Sequence, residues 1–365
     1  MEPLGQTGPG SQPIRTATVI PIEDSSQIPV ARRAVLDAGR ELRLDEATLA
    51  RAEIVAVELA RNIFLHGRTV TSHRGVPTRR IQRPGELFVS SNIDGTALQI
   101  VAVDSGAGIP SLARAMTDGF STAGTPGLGL GAVKRLSRSF DIFSAIEPEA
   151  ARGTVVLAVI GPEEPAGESQ TAVLSTALPG ETVSGDSWAV FKTAESTFYL
   201  MADGLGHGTY AHEAAMLAVN LFLRAMSRSG TLISPAEILT EMHPLMRATR
   251  GAAVALIRID HARRQIVFCG VGNISMVLSA PNGETRTMLS HNGTLGHQMP
   301  RVQEFTQKYL PSALLILHSD GIHTSWKLQN SPGLDRQASA TIAGAIYREA
   351  WRGRDDATVL VARLA

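Results

Sequence analysis

Apolar and polar residues follow two regimes along this chain, separated by one polar stretch. Ile28 to Leu42 and Asp45 to His66 carry apolar residues at helical spacing, and Asp45 is placed to cap the second helix. In that helix Ile54, Val55, Val57, Leu59, Ile63 and Phe64 build the apolar surface. Arg15 to Ile20, Leu98 to Val103 and Val155 to Ile160 read as strands, and Ala132 to Arg138 as a further helix. Gly161 to Gln170, rich in Pro, Gly and charge, reads as a linker. Beyond it, strands are expected over Phe198 to Met201, Ala252 to Ile259, Gln265 to Val271, Ser275 to Leu278, Leu314 to Leu317 and from Asp355 onward. Helices are expected over Thr209 to Met226, Pro235 to Arg247 and Ala338 to Trp351. Many strands with few helices point to an α+β layered second domain. The predicted division is a disordered tail over 1–14, a domain over 15–160, the linker over 161–170 and a domain over 171–365.

Composition narrows the function classes. The 365 residues suffice for two domains of ordinary size, and 44% hydrophobic with 19% charged residues is a normal globular balance. A formal net charge of zero gives no reason to expect nucleic acid or an anionic membrane as partner. The single cysteine, Cys269, follows Val267 and Phe268 in a strand pattern, so a buried structural thiol in a reducing cytoplasm is expected. No apolar run approaches the roughly 20 residues that span a bilayer, and the first residues lack a basic-then-apolar signal pattern. A cytoplasmic protein without membrane attachment is the expectation.

Chemistry in the second half gathers around aspartates at strand ends. Asp203 stands in A-D-G-L-G-H-G, between an apolar strand and a helix, where glycines let the backbone approach a ligand. Asp186 precedes the strand W-A-V-F, and a hairpin turn within Lys192 to Thr197 would put it roughly opposite Asp203 and Gly204. Asp320 ends the run A-L-L-I-L-H-S-D-G, while Asp355 and Asp356 open the final strand. Such carboxylates repel unless cations bind between them, and a hard divalent cation suits that donor set. A paired cation site can activate a bridging water and clamp a phosphoryl group. His207 reads either as a phosphate contact or as a solvated turn histidine, and Gly270-Val-Gly-Asn273 as a tight turn near the site.

S-G-D-S, A-D-G-L-G-H-G, G-V-G-N, S-D-G-I and D-D-A-T-V-L-V, in that order from Ser184 to Val361, resemble the metal-dependent (PPM) serine/threonine phosphatases of the SpoIIE/RsbX-like branch. The resemblance implies two stacked sheets flanked by helices. It also implies metal ligation, most naturally of two Mn2+ or Mg2+ ions, by Asp186, Asp203, the Gly204 carbonyl, Asp320 and Asp355. Asp203 and Asp320 would be central to catalysis. Asp355 aligns with the first residue of the family's D-[ND]-x-T motif, with Asp356 as the alternative.

In the first half, Glu58, Asn62 and His66 recur along one side of a helix. Asp104 opens D-S-G-A-G-I-P after a strand; Gly127-Leu-Gly129-Leu-Gly131 runs into a helix; Arg152-Gly-Thr154 leads into another strand. Glycines before a helix N-terminus make a natural phosphate site. No strong strand directly precedes them, which excludes a dinucleotide-binding Rossmann reading. E-L-A-R-N, D-S-G-A-G-I, G-L-G-L-G and G-T together resemble the GHKL ATP-binding fold, in its RsbT/RsbW-like switch-kinase and anti-sigma branch. The resemblance implies an α/β sandwich binding ATP with Mg2+. Asn62 would hold the Mg2+, Asp104 would accept from the adenine amino group, and Thr154 would lie near the base. Gly106, Gly108, Gly127, Gly129 and Gly131 would shape the nucleotide loops, and Glu58 would be the general base. One departure is the long connection Gly67 to Gly95, basic through Arg68, His73, Arg74, Arg79, Arg80 and Arg83. It reads as a surface loop or a partner-docking element.

Together these resemblances imply a partner-switching regulator that removes phosphate from a phosphorylated STAS-domain protein, with a sigma factor or stressosome component as further partner. The alternative is a nucleotide-gated, anti-sigma-like binding module without phosphotransfer. Oligomeric state is left open.

Overall fold

The structure is a computed structural model that describes residues 17–67, 85–117, 129–147, 152–162, 170–229, 233–299 and 302–365. The chain forms two domains of mixed α+β character, with antiparallel pairing throughout the assigned registers.

The first domain begins with β1 (Thr18–Pro21), α1 (Gln27–Glu41) and α2 (Glu46–His66). Asp45 caps α2 as expected, its carboxylate accepting from the Thr48 N–H at 2.8 Å, a cap worth about 1 kcal/mol. Then come β2 (Gly85–Ser91), β3 (Leu98–Asp104), the short α3 (Leu112–Ala115), α4 (Gly129–Leu136), β4 (Ser139–Ala145) and β5 (Gly153–Ile160). The sheet order is β1-β2-β3-β5-β4. Leu98, Ile100, Ala102, Val156 and Ala158 pack with Val55, Leu59 and Ile63 of α2 in one core. β2 lies inside the stretch read from sequence as a long connection, so part of that departure is an ordinary strand pairing with β1 and β3. The basic residues Arg68 to Arg83 fall outside the described residues.

The second half supplies β6 (Thr171–Thr176), β7 (Asp186–Lys192), β8 (Ser196–Gly204), α5 (Thr209–Ser229), α6 (Pro235–Leu245), β9 (Ala252–Asp260) and β10 (Gln265–Val271). It continues through β11 (Ser275–Ser279), β12 (Thr285–Leu289), β13 (Phe305–Lys308), β14 (Leu314–His318), α7 (Ser339–Ala350) and β15 (Ala357–Arg363). The strands form two sheets, β13-β10-β9-β8-β7 and β12-β11-β14-β15-β6. Phe198, Leu200, Ala202, Val254 and Leu256 pack against Ala215, Val219 and Phe222 of α5 and Leu239 and Met242 of α6. Cys269 is buried in this core, as its strand position implies.

By contacts, the chain divides differently from its order in sequence. Residues 325–350, including α7, group with the first domain, and Trp351–Ala365 returns to the second. Gly344 of α7 sits against Val101, Val103 and Val155, the strand residues that alternate with those facing α2. Consequently β3 and β5 are buried at nearly every position. No helix among the described residues is long and apolar enough to cross a membrane.

Candidate functional site

In the second domain the β7–β8 hairpin sets the acidic residues. Thr193 closes its turn, donating its N–H to the Ser196 carbonyl at 2.8 Å and accepting from the Ser196 N–H at 3.0 Å. Because side chains alternate along both strands, this turn fixes the register and places Asp186 directly opposite Asp203. Gly204 pairs with Ala252 of β9. A Cβ at Gly204 would collide with the Ala211 carbonyl, so glycine is what lets α5 start close behind Asp203.

Asp186 is almost wholly buried. Its Oδ2 accepts from the Ser319 hydroxyl at 2.7 Å, whereas Oδ1 is buried without a hydrogen-bond partner. Ser319 in turn accepts from the Thr358 N–H at 3.0 Å. Asp320 follows β14, and its Oδ2 accepts from the Asn273 amide at 2.7 Å. The G-V-G-N turn therefore orients an acid of the cluster through Asn273. The two neighbouring acids before β15 differ. Asp356 is buried, with Oδ1 accepting from the Leu178 N–H at 2.8 Å and Oδ2 from the Gly185 N–H at 2.9 Å. Asp355 is partly exposed, and its Oδ1 accepts from the Asp356 N–H at 3.0 Å. At the exposed end of the glycine-rich turn, His207 Nδ1 lies 2.6 Å from Glu181 Oε1.

These carboxylates feel one another. Burial pushes Asp186 up to about 7, with Asp356 and Asp320 adding to the rise and the Ser319 and Thr358 hydroxyls opposing it. Asp203 is held well above the ordinary carboxylate range, first by burial and then by Asp186, Asp320, Asp355 and Asp356. Burial, then Asp355, raises Asp320, against the Arg352 guanidinium and the Asn273 amide. Burial also raises Asp356, against its two backbone donors. Among the described residues no three Asp, Glu, His or Cys side chains are gathered tightly enough to hold an ion as they stand. The donor set nonetheless fits a hard divalent cation: it is all oxygen, and it includes the buried, unpartnered Oδ1 of Asp186.

The first domain assembles its own group at the end of β3. Asp104 Oδ1 accepts from the N–H groups of Gly106 at 2.8 Å and Thr154 at 3.2 Å. The Thr154 hydroxyl meets that of Ser144 at 3.0 Å. A Cβ at Gly106 would strike the His66 carbonyl, which locates the end of α2 against this turn. Gly108 follows in the same loop and lies against the Ala145 carbonyl. Burial pushes Asp104 up to about 6, with the Gly106 N–H and the Arg348 guanidinium of α7 holding it down. Further back along α2, Glu58 Oε1 accepts from the Gly129 N–H at 3.3 Å at the start of α4. Asn62 stands one turn beyond Glu58 on α2, and Gly131 is buried within α4. Gly127 lies outside the described residues.

Sequence reasoning missed Ser319, Thr358, Glu181 and Arg348. Ser319 and Thr358 lie inside motifs already singled out, so their neighbours were the available signal. Glu181 has none. Arg348 stands out only as a cation that, with Glu349 beside it, interrupts the mostly apolar helix A-I-Y-R-E-A.

Comparison with known proteins matches both halves. Residues 193–365 match the family Stage II sporulation protein E (SpoIIE), and residues 22–160 match the Histidine kinase-like ATPase domain. Phosphoserine phosphatase RsbX of Bacillus subtilis (strain 168) is 27% identical over 154 residues, 42% of this chain and 75% of the relative. Serine/threonine-protein kinase RsbT of the same organism is 33% identical over 134 residues, 36% of this chain and 86% of the relative. A crystal structure of RsbX in complex with magnesium superposes with a TM-score of 0.46 at 24% identity, covering 53% of this chain and 94% of that one. The chain therefore belongs, through its N-terminal domain, to the RsbT-like histidine kinase-like ATPases, and it carries a SpoIIE/RsbX-like PP2C phosphatase domain C-terminal to it.

Proposed function

We propose that this chain is a partner-switching regulator whose C-terminal domain hydrolyses phosphoserine or phosphothreonine on a STAS-domain protein with Mn2+ or Mg2+. The observation that carries this reading is the strand register that pairs Asp186 with Asp203 and leaves a buried carboxylate oxygen unpartnered. Asp186, Asp203, the Gly204 carbonyl, Asp320 and Asp355 would hold two cations. Asp355 is preferred over Asp356 because both Asp356 oxygens are already taken by backbone N–H groups. Bound cations would offset the clustered charge, polarise a phosphoryl oxygen and acidify water. The chain's own contribution is positioning: Ser319 fixes Asp186, Asn273 fixes Asp320, and Glu181 fixes the His207 ring at the exposed mouth, where a phosphoprotein would arrive.

The N-terminal domain is proposed to bind ATP with Mg2+, using Asp104 for the adenine amino group, Asn62 toward the cation and Gly129 and Gly131 along the phosphates. Glu58 would take the proton from a partner hydroxyl in a serine/threonine kinase reaction. The Glu58–Gly129 contact favours a second reading of that domain, in which Glu58 steadies the start of α4 and nucleotide only gates partner capture, whether of a STAS protein, a sigma factor or a stressosome component. The phosphatase reading is tested with Asp203→Asn and Asp320→Asn. Each should reduce Mn2+-dependent phosphate release by at least about 100-fold, beyond the loss typical of an outer-shell partner, with the circular dichroism spectrum unchanged. Wild-type turnover in Asp203→Asn would end the assignment.

A further inference from the structure

We infer that Arg250 reads the polypeptide beside the phosphorylated side chain, selecting substrates that carry an acidic residue about three positions from it. This rests on the reading above of Asp203 and Gly204 as ligands of the phosphatase site.

The strand register carries Arg250 to the mouth of that site. Asp203 pairs with Ala253 and Gly204 with Ala252, and the Leu205 N–H extends the ladder by donating to the Gly251 carbonyl at 3.0 Å. Arg250 is the next residue, beside the A-D-G-L-G-H-G turn where it leaves Asp203. Its backbone is held by its neighbours. The Gly251 N–H donates to the Thr249 hydroxyl at 3.0 Å, and that hydroxyl donates to the Met246 carbonyl at 2.8 Å. His297 Nε2 lies 3.0 Å from the Thr249 carbonyl. The side chain is placed as well. Its Cζ lies 5.0 Å from the centroid of the Tyr210 ring, a cation–π contact. Gly206 leaves the space that the guanidinium borders, since a Cβ there would stand 3.0 Å from Nη1. Among the described residues no carboxylate pairs with Arg250. Leu205 and Tyr210, the large apolar side chains of this edge, are exposed. Two residues beyond Gly206 the turn is closed by an acid instead. Glu181 Oε1 lies 2.6 Å from His207, and Oε2 would lie 2.8 Å from a Cβ at Gly208.

An exposed guanidinium held over a tyrosine has the composition of a protein-recognition hot spot. Its planar fork suits a carboxylate in bidentate geometry. Arg250 stands three residues along the chain from Ala253, the partner of Asp203, a span of at most about 10 Å at roughly 3.3 Å per residue. An extended substrate with its phosphoserine at Asp203 covers that span in about three residues. The side chain that reaches Arg250 is therefore close to the third from the phosphate. Glu181 repels an acid arriving over the other end of the turn, so charge sets direction as well as distance.

The test uses the full chain with Mn2+ and synthetic phosphoserine peptides. A single Glu, Gln or Lys is placed at each position from two to four on either side of the phosphoserine. Wild type should favour Glu over Gln about fivefold in kcat/KM at one of these positions, mainly through KM, with Lys poorest; fivefold is the upper end for an exposed ion pair. Arg250→Ala should level the three peptides, and Arg250→Glu should reverse their order. Tyr210→Ala should shrink the preference and Tyr210→Phe keep it, because the ring rather than the hydroxyl holds the guanidinium. Equal kcat/KM for all peptides with wild type, a measurement that needs no variant, would overturn the inference. A Glu preference that survives Arg250→Glu would do the same, and in both cases Mn2+-dependent turnover leaves the phosphatase reading standing. Absence of Mn2+-dependent release from every peptide would overturn the phosphatase reading and this inference with it.

Discussion

Replacing Asp186 by asparagine should stabilise the metal-free protein while abolishing its phosphatase chemistry. Asp186 is buried, its Oδ1 lacks a partner, and burial together with Asp356 and Asp320 pushes it up to about 7 from an ordinary 3.8. A raised acid contributes its full folding stability below its unfolded pKa and loses it as pH rises through the folded one. At pH 8 the wild-type charge therefore costs up to about 4 kcal/mol, at 1.36 kcal/mol per pKa unit. Asparagine removes the charge but leaves a buried amide N–H short of a partner, which returns roughly 1–2 kcal/mol. The net gain is about 2 kcal/mol, or about 4–8 °C in melting temperature for a domain of this size. The assay is thermal unfolding of both proteins in EDTA at pH 8 and again at pH 5, where wild-type Asp186 is protonated and the gap should close. Saturating Mn2+ at pH 8 should reverse the order, because only wild type retains the full site. An Asp186→Asn protein less stable than wild type in EDTA at pH 8 would refute the picture of an uncompensated buried carboxylate.

Four further outcomes follow from the same geometry. Asn273→Ala should free Asp320 and weaken Mn2+ binding about tenfold, as loss of an outer-shell partner typically does, measured by calorimetry. Mn2+ affinity should fall as pH drops below about 7, because protons compete for Asp186 and its neighbours; an affinity flat between pH 8 and 6 would count against ligation by the raised acids. Asp104→Asn in the full chain should weaken ATP binding by roughly 1–3 kcal/mol through a mispaired buried contact and narrow the preference for ATP over GTP. Glu58→Ala should abolish any transfer of label from ATP to a STAS partner while ATP binding persists; label that survives the substitution would exclude Glu58 as the base.

The Asp186–Asp203 pairing was legible because period-2 strands flanking a polar turn leave little freedom in register. The choice between Asp355 and Asp356 was less accessible. Adjacent residues in extended chain point to opposite sides, and only the backbone donors at Leu178 and Gly185 separate their roles. Placement of α7 defeated a linear reading, since its neighbours in sequence, Asp320 and Asp355, belong to the second domain. A clue was nonetheless present in β5. The run V-V-L-A-V-I is apolar without alternation, which signals a strand covered on both faces, and α1 and α2 cover only one. β12 and β13 were missed because T-R-T-M-L and F-T-Q-K are largely exposed and carry no apolar period. β2 was hidden by the basic stretch that precedes it.

The most direct test of the account is phosphate release from a phosphoserine-bearing STAS-domain protein mixed with the full chain. Multiple turnovers are expected with Mn2+, none in EDTA, and none for Asp203→Asn under either condition. Release that persists in EDTA, or that Asp203→Asn carries out at the wild-type rate, would contradict it.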